Sequence, residues 1–124
     1  MIVGIGIDMI EVERVAEKVA KENGFKEKIF SLQEIDFCES RPEQAQHFAV
    51  RFAAKEAFLK ATGYGLQLSF ELRLIEVVRT PSGKPEIELH GNFKSLALEN
   101  GWKKIHLSLS HLQAIACAVV IIEQ

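Results

Sequence analysis

At 124 residues, 48% hydrophobic and 26% charged, the chain has the size and balance of one ordinary globular domain, residues 1–124. A formal net charge of −2 excludes a general nucleic-acid binder, so any basic site must be local. The longest apolar run, Ala114 to Ile122, is too short to span a bilayer, and Met1-Ile-Val-Gly lacks the basic start of a signal peptide. Cys38 and Cys117 show no metal-ligand spacing; reduced thiols in a cytoplasmic protein are expected, with a single disulfide as the alternative.

Met1 to Asp8 reads as a strand, with Val3, Ile5 and Ile7 on one face and Ile2, Gly4, Gly6 and Asp8 on the other. Two glycines on one strand face predict that another backbone or a ligand approaches closely there. Asp8 then stands where it can cap a helix over about Ile10 to Glu22, with Glu11 as the reciprocal partner. Arg14, Lys18 and Lys21 share one face of that helix. Interleaved Glu13 and Glu17 make a solvated face the plain reading, and a docking strip for an acidic partner the sharper one.

Ser31-Leu-Gln-Glu34 is a capping-box pattern opening a short helix to about Glu39. Pro42 and Gly63 then bracket a long helix, about Glu43 to Thr62. Phe48, Phe52 and Leu59 form one apolar stripe on it, and Val50, Ala54, Ala57 and Ala61 form another. Arg51 and Lys55 lie between the stripes on one side, Glu56 and Lys60 on the other. A helix with two apolar faces belongs inside the molecule or between subunits, where its charges must be paired or meet a ligand. An i,i+4 ion pair between Glu56 and Lys60 is the plain reading of those two.

Beyond Gly63-Tyr64-Gly65, Leu72 to Arg79 and Pro85 to Leu89 read as a hairpin around Pro81-Ser-Gly83-Lys84. Gly91-Asn92 is expected to cap a helix over Phe93 to Glu99, ended by Asn100-Gly101. Lys104 to Ser110 and Ala114 to Ile122 complete the strands, the last apolar enough for burial on both faces or at an interface. The predicted class is α+β, mostly antiparallel strands packed around the central helix.

No Walker loop, nucleophile elbow, dinucleotide fingerprint or zinc pattern is present. What remains is Asp8 at a strand end, Glu56 on the central helix, the Gly63–Gly65 loop after Lys60, and Ser108-Leu-Ser110-His111 between the last strands. Two carboxylates brought together form a hard oxygen site suited to Mg²⁺ held with substrate phosphates. Arg51, Lys55 and Lys60 beside it can neutralise those phosphates.

Each motif alone is common. Gly6-Ile-Asp8 with Arg14 beyond it, Arg51-Phe-Ala-Ala-Lys55-Glu56-Ala57 with Lys60-Ala61 and Gly63-x-Gly65, Gly83-Lys-Pro85, and Ser108-x-Ser110-His111 with Ala116 and Ala118 together form an ordered set. That set resembles the holo-acyl-carrier-protein synthases, the small type of 4′-phosphopantetheinyl transferase, over essentially the whole chain. The resemblance implies their fold and transfer of phosphopantetheine from coenzyme A to a serine of an apo acyl carrier protein, in support of fatty acid biosynthesis. It implies that Asp8 and Glu56 bind Mg²⁺, and that Asp8, Glu56 and Lys60 carry the catalysis. Arg51 would meet the 3′-phosphate of coenzyme A and Lys60 its pyrophosphate. Lys55, Gly63, Gly65, Ser110 and His111 would complete the coenzyme A contacts, His111 across a subunit boundary. Arg14, Lys18 and Lys21 would dock the carrier, and the assembly would be a homotrimer. Val50, Leu112 and Ile115 depart from the residues common in that family and bear on the nucleotide contacts.

Two other readings use the same residues. A trimeric binding module would keep Arg14, Arg51 and Lys60 but would not need both Asp8 and Glu56. A phosphotransferase acting on small molecules would need the carboxylates but not the basic strip.

Overall fold

The structure is a computed structural model and describes residues 1–68 and 70–124. The chain runs β1 (Ile2–Glu11), α1 (Val12–Ala20), α2 (Phe25–Ile29), α3 (Leu32–Glu39) and α4 (Gln44–Thr62). Two short 3₁₀ turns, Gly65–Leu68 and Leu72–Leu74, lead to β2 (Ile75–Arg79), β3 (Pro85–Leu89), α5 (Gly91–Asn100), β4 (Lys104–His111) and β5 (Ile115–Glu123). Every sheet pairing is antiparallel: β1-β5-β4 form one sheet and β2-β3 a hairpin. This is the α+β arrangement expected, organised around α4.

The long helix α4 is buried for most of its length, because both of its apolar stripes find partners. Phe48, Ala49 and Val50 pack with Val15, Phe30 and Cys38 in a core under α1 and α3. Ala57, Phe58 and Leu59 pack with Ile75, Phe93, Trp102 and Val120 in a second core. There the ring of Phe58 stands edge-on to Phe93 at 6.2 Å and to Trp102 at 6.1 Å. Full burial of one such side chain stabilises by about 1.5–3 kcal/mol. Gly63 ends the helix at φ 81°, as its position predicts.

The glycines of β1 set how closely sheet and helix meet. A Cβ on Gly4 would lie 1.9 Å from the carbonyl oxygen of Ala61, and one on Gly6 1.9 Å from that of Ala57. Helix backbone therefore fills the space that side chains would need, the close approach anticipated for that strand face. The opposite face bears Ile5, Ile7 and Met9, which are 62%, 55% and 66% exposed.

Several boundaries differ from expectation. Strand pairing carries β1 through Glu11, which stands opposite Ile115, so α1 starts at Val12 and Asp8 caps no helix. Gly24 does not merely end the first helix; at φ 87° it opens α2, which the sequence reading missed. Residues 72–74 form a 3₁₀ turn rather than the start of β2. His90, not Gly91-Asn92, precedes α5, and His111 is the last residue of β4 rather than a turn residue. The capping box is present as read: Ser31 accepts from the Glu34 N–H, and Glu34 accepts from the Ser31 N–H. Both cysteines are free, Cys38 buried and Cys117 half-buried.

Candidate active site

Where β1 crosses α4, the strand face that carries Gly4 and Gly6 next presents Asp8. The helix face that presses on those glycines next presents Glu56 and Lys60. The glycines thereby bring together side chains far apart in sequence. Lys60 Nζ donates to Asp8 Oδ1 at 3.0 Å and to the Ile7 carbonyl at 2.9 Å. The expected Glu56–Lys60 pair is thus replaced by a tie between helix and strand. Burial pushes the Glu56 carboxyl above the ordinary glutamate range, and the neighbouring Asp8 charge pushes it further. Lys60 and Lys18 pull it back. The two carboxylates repel across a short gap, and the cations beside them offset only part of that repulsion.

The lysine strip of α1 therefore reaches the same place. Arg14, Lys18 and Lys21 are all exposed, and it is Lys18 whose charge acts on Glu56.

Arg51 and His111 lie in a second group. Arg51 Nη1 donates to the His47 carbonyl at 3.3 Å, and the His47 ring stands 5.9 Å from that of His111. Burial lowers the Arg51 pKa and the neighbouring Arg79 and Arg41 lower it further, while Cys38 and Glu34 oppose that shift. One chain thus carries the predicted residues as two separate groups. Ser110 is exposed beside His111 on β4. Gly63 and Gly65, at φ 81° and 60°, shape the loop after Lys60 and have open space where a Cβ would be.

Lys55 does not join either group, which corrects its assignment to phosphate binding. Its ammonium is 0% exposed and donates to Glu34 Oε1 at 2.8 Å, to the Leu72 carbonyl at 3.1 Å and to the Ile75 carbonyl. All three N–H bonds are used, so none is left for a ligand. Glu34 is in turn held by the backbone N–H of Val77 at 3.0 Å. A buried ammonium needs such a partner set, and the capping-box glutamate supplies it.

Sequence reasoning missed Phe37, Arg41, His47 and Arg79, which gather around Arg51. No periodic signal links them; they come from three elements and a turn. Glu76, Glu88 and His90 form a further cluster, their ligand atoms within 4.8 Å of one another. It lies on the hairpin and the turn after it, away from Asp8 and Glu56. A cavity of about 670 Å³ among α1, α2 and the start of α4 is lined in part by Lys21, Lys26, Glu39 and Phe48, and by none of Asp8, Glu56, Lys60, Arg51 or His111.

Comparison with known proteins places this geometry. The family model of the 4′-phosphopantetheinyl transferase superfamily matches residues 4–120. The chain belongs to that superfamily. A holo-[acyl-carrier-protein] synthase of Geotalea daltonii is 41% identical over the full length of both chains. The crystal structure of a holo-[acyl-carrier-protein] synthase from Neisseria meningitidis superposes with TM-score 0.90 at 30% identity, covering 100% of both chains. A synthase from Bacillus anthracis, solved in complex with coenzyme A (3′,5′-ADP), matches at TM-score 0.79 and 33% identity, with 98% of this chain and 96% of that one covered. The transferase fold expected from the ordered motifs is thus the fold observed.

Proposed function

We propose that this phosphopantetheinyl transferase moves the 4′-phosphopantetheine group of coenzyme A onto a serine of an apo acyl carrier protein, in a Mg²⁺-dependent reaction that releases adenosine 3′,5′-bisphosphate. The observation that carries this is the meeting of Asp8, Glu56 and Lys60 at the β1–α4 crossing. It stands in a chain 41% identical, end to end, to a holo-[acyl-carrier-protein] synthase.

The residues fit the metal. Asp8 and Glu56 offer hard oxygen donors, the class Mg²⁺ takes; burial first and the Asp8 charge second hold the Glu56 carboxyl above the ordinary glutamate range, and a cation beside both would oppose that shift. Asp8 and Glu56 would hold the ion, and its positive charge would help neutralise the phosphate oxygens of the donor. Lys60, its side chain 54% exposed, holds Asp8 in the free chain and can turn to the pyrophosphate of the donor. The serine hydroxyl attacks phosphorus and must lose its proton, and the Glu56 carboxylate beside the site can take it. Arg51 and His111 are assigned to the nucleotide end of the donor, and Arg14, Lys18 and Lys21 to an acidic carrier.

A donor long enough to touch both groups is most simply held between chains. Homotrimeric assembly is therefore part of this reading, supported by the exposed apolar face of β1. The surface of α4 does not supply that interface, since the chain buries it within itself. The same reading assigns the reaction to cytoplasmic fatty acid biosynthesis; among the described residues, no helix is long and apolar enough to cross a membrane. A binding module without turnover has no use for two repelling carboxylates.

The test is intact mass of an apo carrier after incubation with coenzyme A, Mg²⁺ and the protein. The carrier is expected to gain one phosphopantetheine, and to gain none with Asp8→Asn or with a chelator present. An unmodified carrier with wild-type protein, across several acidic carriers, would end the proposal.

A further inference from the structure

Phe37, near the end of α3, serves three guanidinium groups at once. Arg41, Arg51 and Arg79 lie 4.6, 4.4 and 5.0 Å from its ring centroid. Each distance is within reach of cation–π attraction. The three arise from separate places: the turn after α3, the middle of α4 and the end of β2. His47 stands edge-on to the same ring at 5.5 Å, with His111 beyond it at 5.9 Å.

Among the described residues, no carboxylate forms an ion pair with any of the three arginines. The nearest buried acid, Glu34, already holds Lys55 and the Val77 N–H. Arg51 is only 2% exposed, yet its Nε has no hydrogen-bond partner. Buried donors are nearly always paired, so an unpaired one on a cation calls for an explanation. A cavity of about 190 Å³ opens beside the array, lined in part by Gln33, Phe37, Arg51 and Arg79 and also by Glu34, the carboxylate already held by Lys55 and the Val77 N–H. His47 is held below the ordinary histidine value by burial and then by the neighbouring Arg51, His111, Arg79 and Arg41.

Three like charges around one ring repel, and the ring's quadrupole offsets only part of that. The group that completes such an array is a dianion with several free oxygens. A phosphate monoester answers that description and accepts forked, charge-assisted hydrogen bonds from guanidinium groups. A bridging pyrophosphate has fewer free oxygens on each phosphorus. We propose that Phe37 is a positioning residue whose ring sets Arg41, Arg51 and Arg79 in one array that selects donors bearing a terminal phosphate monoester. This rests on the coenzyme A reading above, in which Arg51 meets the 3′-phosphate, and it adds the ring and two arginines that make the contact selective.

The experiment compares coenzyme A with 3′-dephospho-coenzyme A as donors, for wild type, Phe37→Leu, Phe37→Tyr and Arg79→Met. The ratio of kcat/KM for the two donors is expected to fall about tenfold in Phe37→Leu and in Arg79→Met. In Phe37→Tyr, which keeps the ring, the ratio stays near wild type. If Phe37→Leu slows both donors equally, the ring is only packing and the proposal fails. Arg79 is exposed, so Arg79→Met tests the array even where Phe37→Leu does not fold. An unchanged ratio there also overturns the proposal. Calorimetric binding of the same two donors is independent of turnover. Should wild type transfer nothing, the functional reading falls; a binding preference for coenzyme A that Phe37→Leu abolishes would still uphold the array, and no preference in wild type would refute it.

Discussion

Lys55 and Glu56 are neighbours in the chain with opposite tasks, and burial separates them. Lys55 faces the interior, where desolvation drives its pKa down and Glu34 opposes that shift. Removing one partner of a buried pair leaves the other uncompensated, so Lys55→Met is expected to cost about 3–5 kcal/mol, read from urea unfolding. Adding Glu34→Leu should recover much of that loss. A Lys55→Met protein of wild-type stability, with only its KM for coenzyme A raised, would return Lys55 to the phosphates. His47 supplies a pH test. Its folded pKa is depressed by burial and by Arg51, His111, Arg79 and Arg41, so the unfolded chain takes up the proton first. The stability it contributes is present above the ordinary histidine value and is lost as pH falls through the folded one. Thermal melts between neutral and mildly acid pH should therefore show a smaller drop in Tm for His47→Gln than for wild type. An equal drop would assign the acid sensitivity to other groups.

At the scale of elements, the β1–α4 crossing decides the position of Asp8. With the Ala57 carbonyl 1.9 Å from where a Gly6 Cβ would stand, Gly6→Ala must push strand and helix apart. Overpacking of this kind typically costs about 1–3 kcal/mol. Transfer should suffer more than stability does, because Asp8 and Lys60 part as the elements separate. Wild-type kcat in a folded Gly6→Ala protein would show that the crossing does not position the site. Helix α1 acts through charge instead. Arg14→Glu is expected to raise the KM for the carrier at least several-fold and that for coenzyme A little. Added salt should imitate the mutation in wild type, since exposed contacts are screened over roughly 8 Å at physiological ionic strength. A change confined to the coenzyme A KM would reduce the strip to a solvated face.

For the whole molecule, the unpartnered feature is the outer face of the β1-β5-β4 sheet. Val3, Ile5, Ile7 and Met9 stand in line on β1, largely exposed, beside half-buried Cys117, Val119 and Ile121 on β5. A contiguous apolar strip of this kind marks an association surface. Ile7→Glu places a charge in its middle, beside Asp8. Sedimentation is expected to show a trimer for wild type and a monomer for this variant, with transfer lost alongside assembly. A monomeric wild type with full activity at micromolar concentration would contradict the assembly.

What the sequence determined by itself was whatever neighbouring residues encode. The Ser31–Glu34 capping box, the turn at Gly83, the left-handed ends at Gly63 and Gly101 and the glycine face of β1 each rest on a few contiguous residues, so each was legible. The pairing of Asp8 with Glu56 was legible only through the ordered motifs, since nothing local ties a strand end to a helix 48 positions on. Tertiary structure alone decided the rest. Sheet pairing extended β1 past Asp8 and removed it from capping, because a strand ends where its partner strand does. Lys55 and Arg51 have the same character in sequence, a cation between two apolar stripes. Only the fold brings Glu34 to one and Phe37 to the other, and that difference in partner makes the first a structural ion pair and sets the second against an aromatic ring.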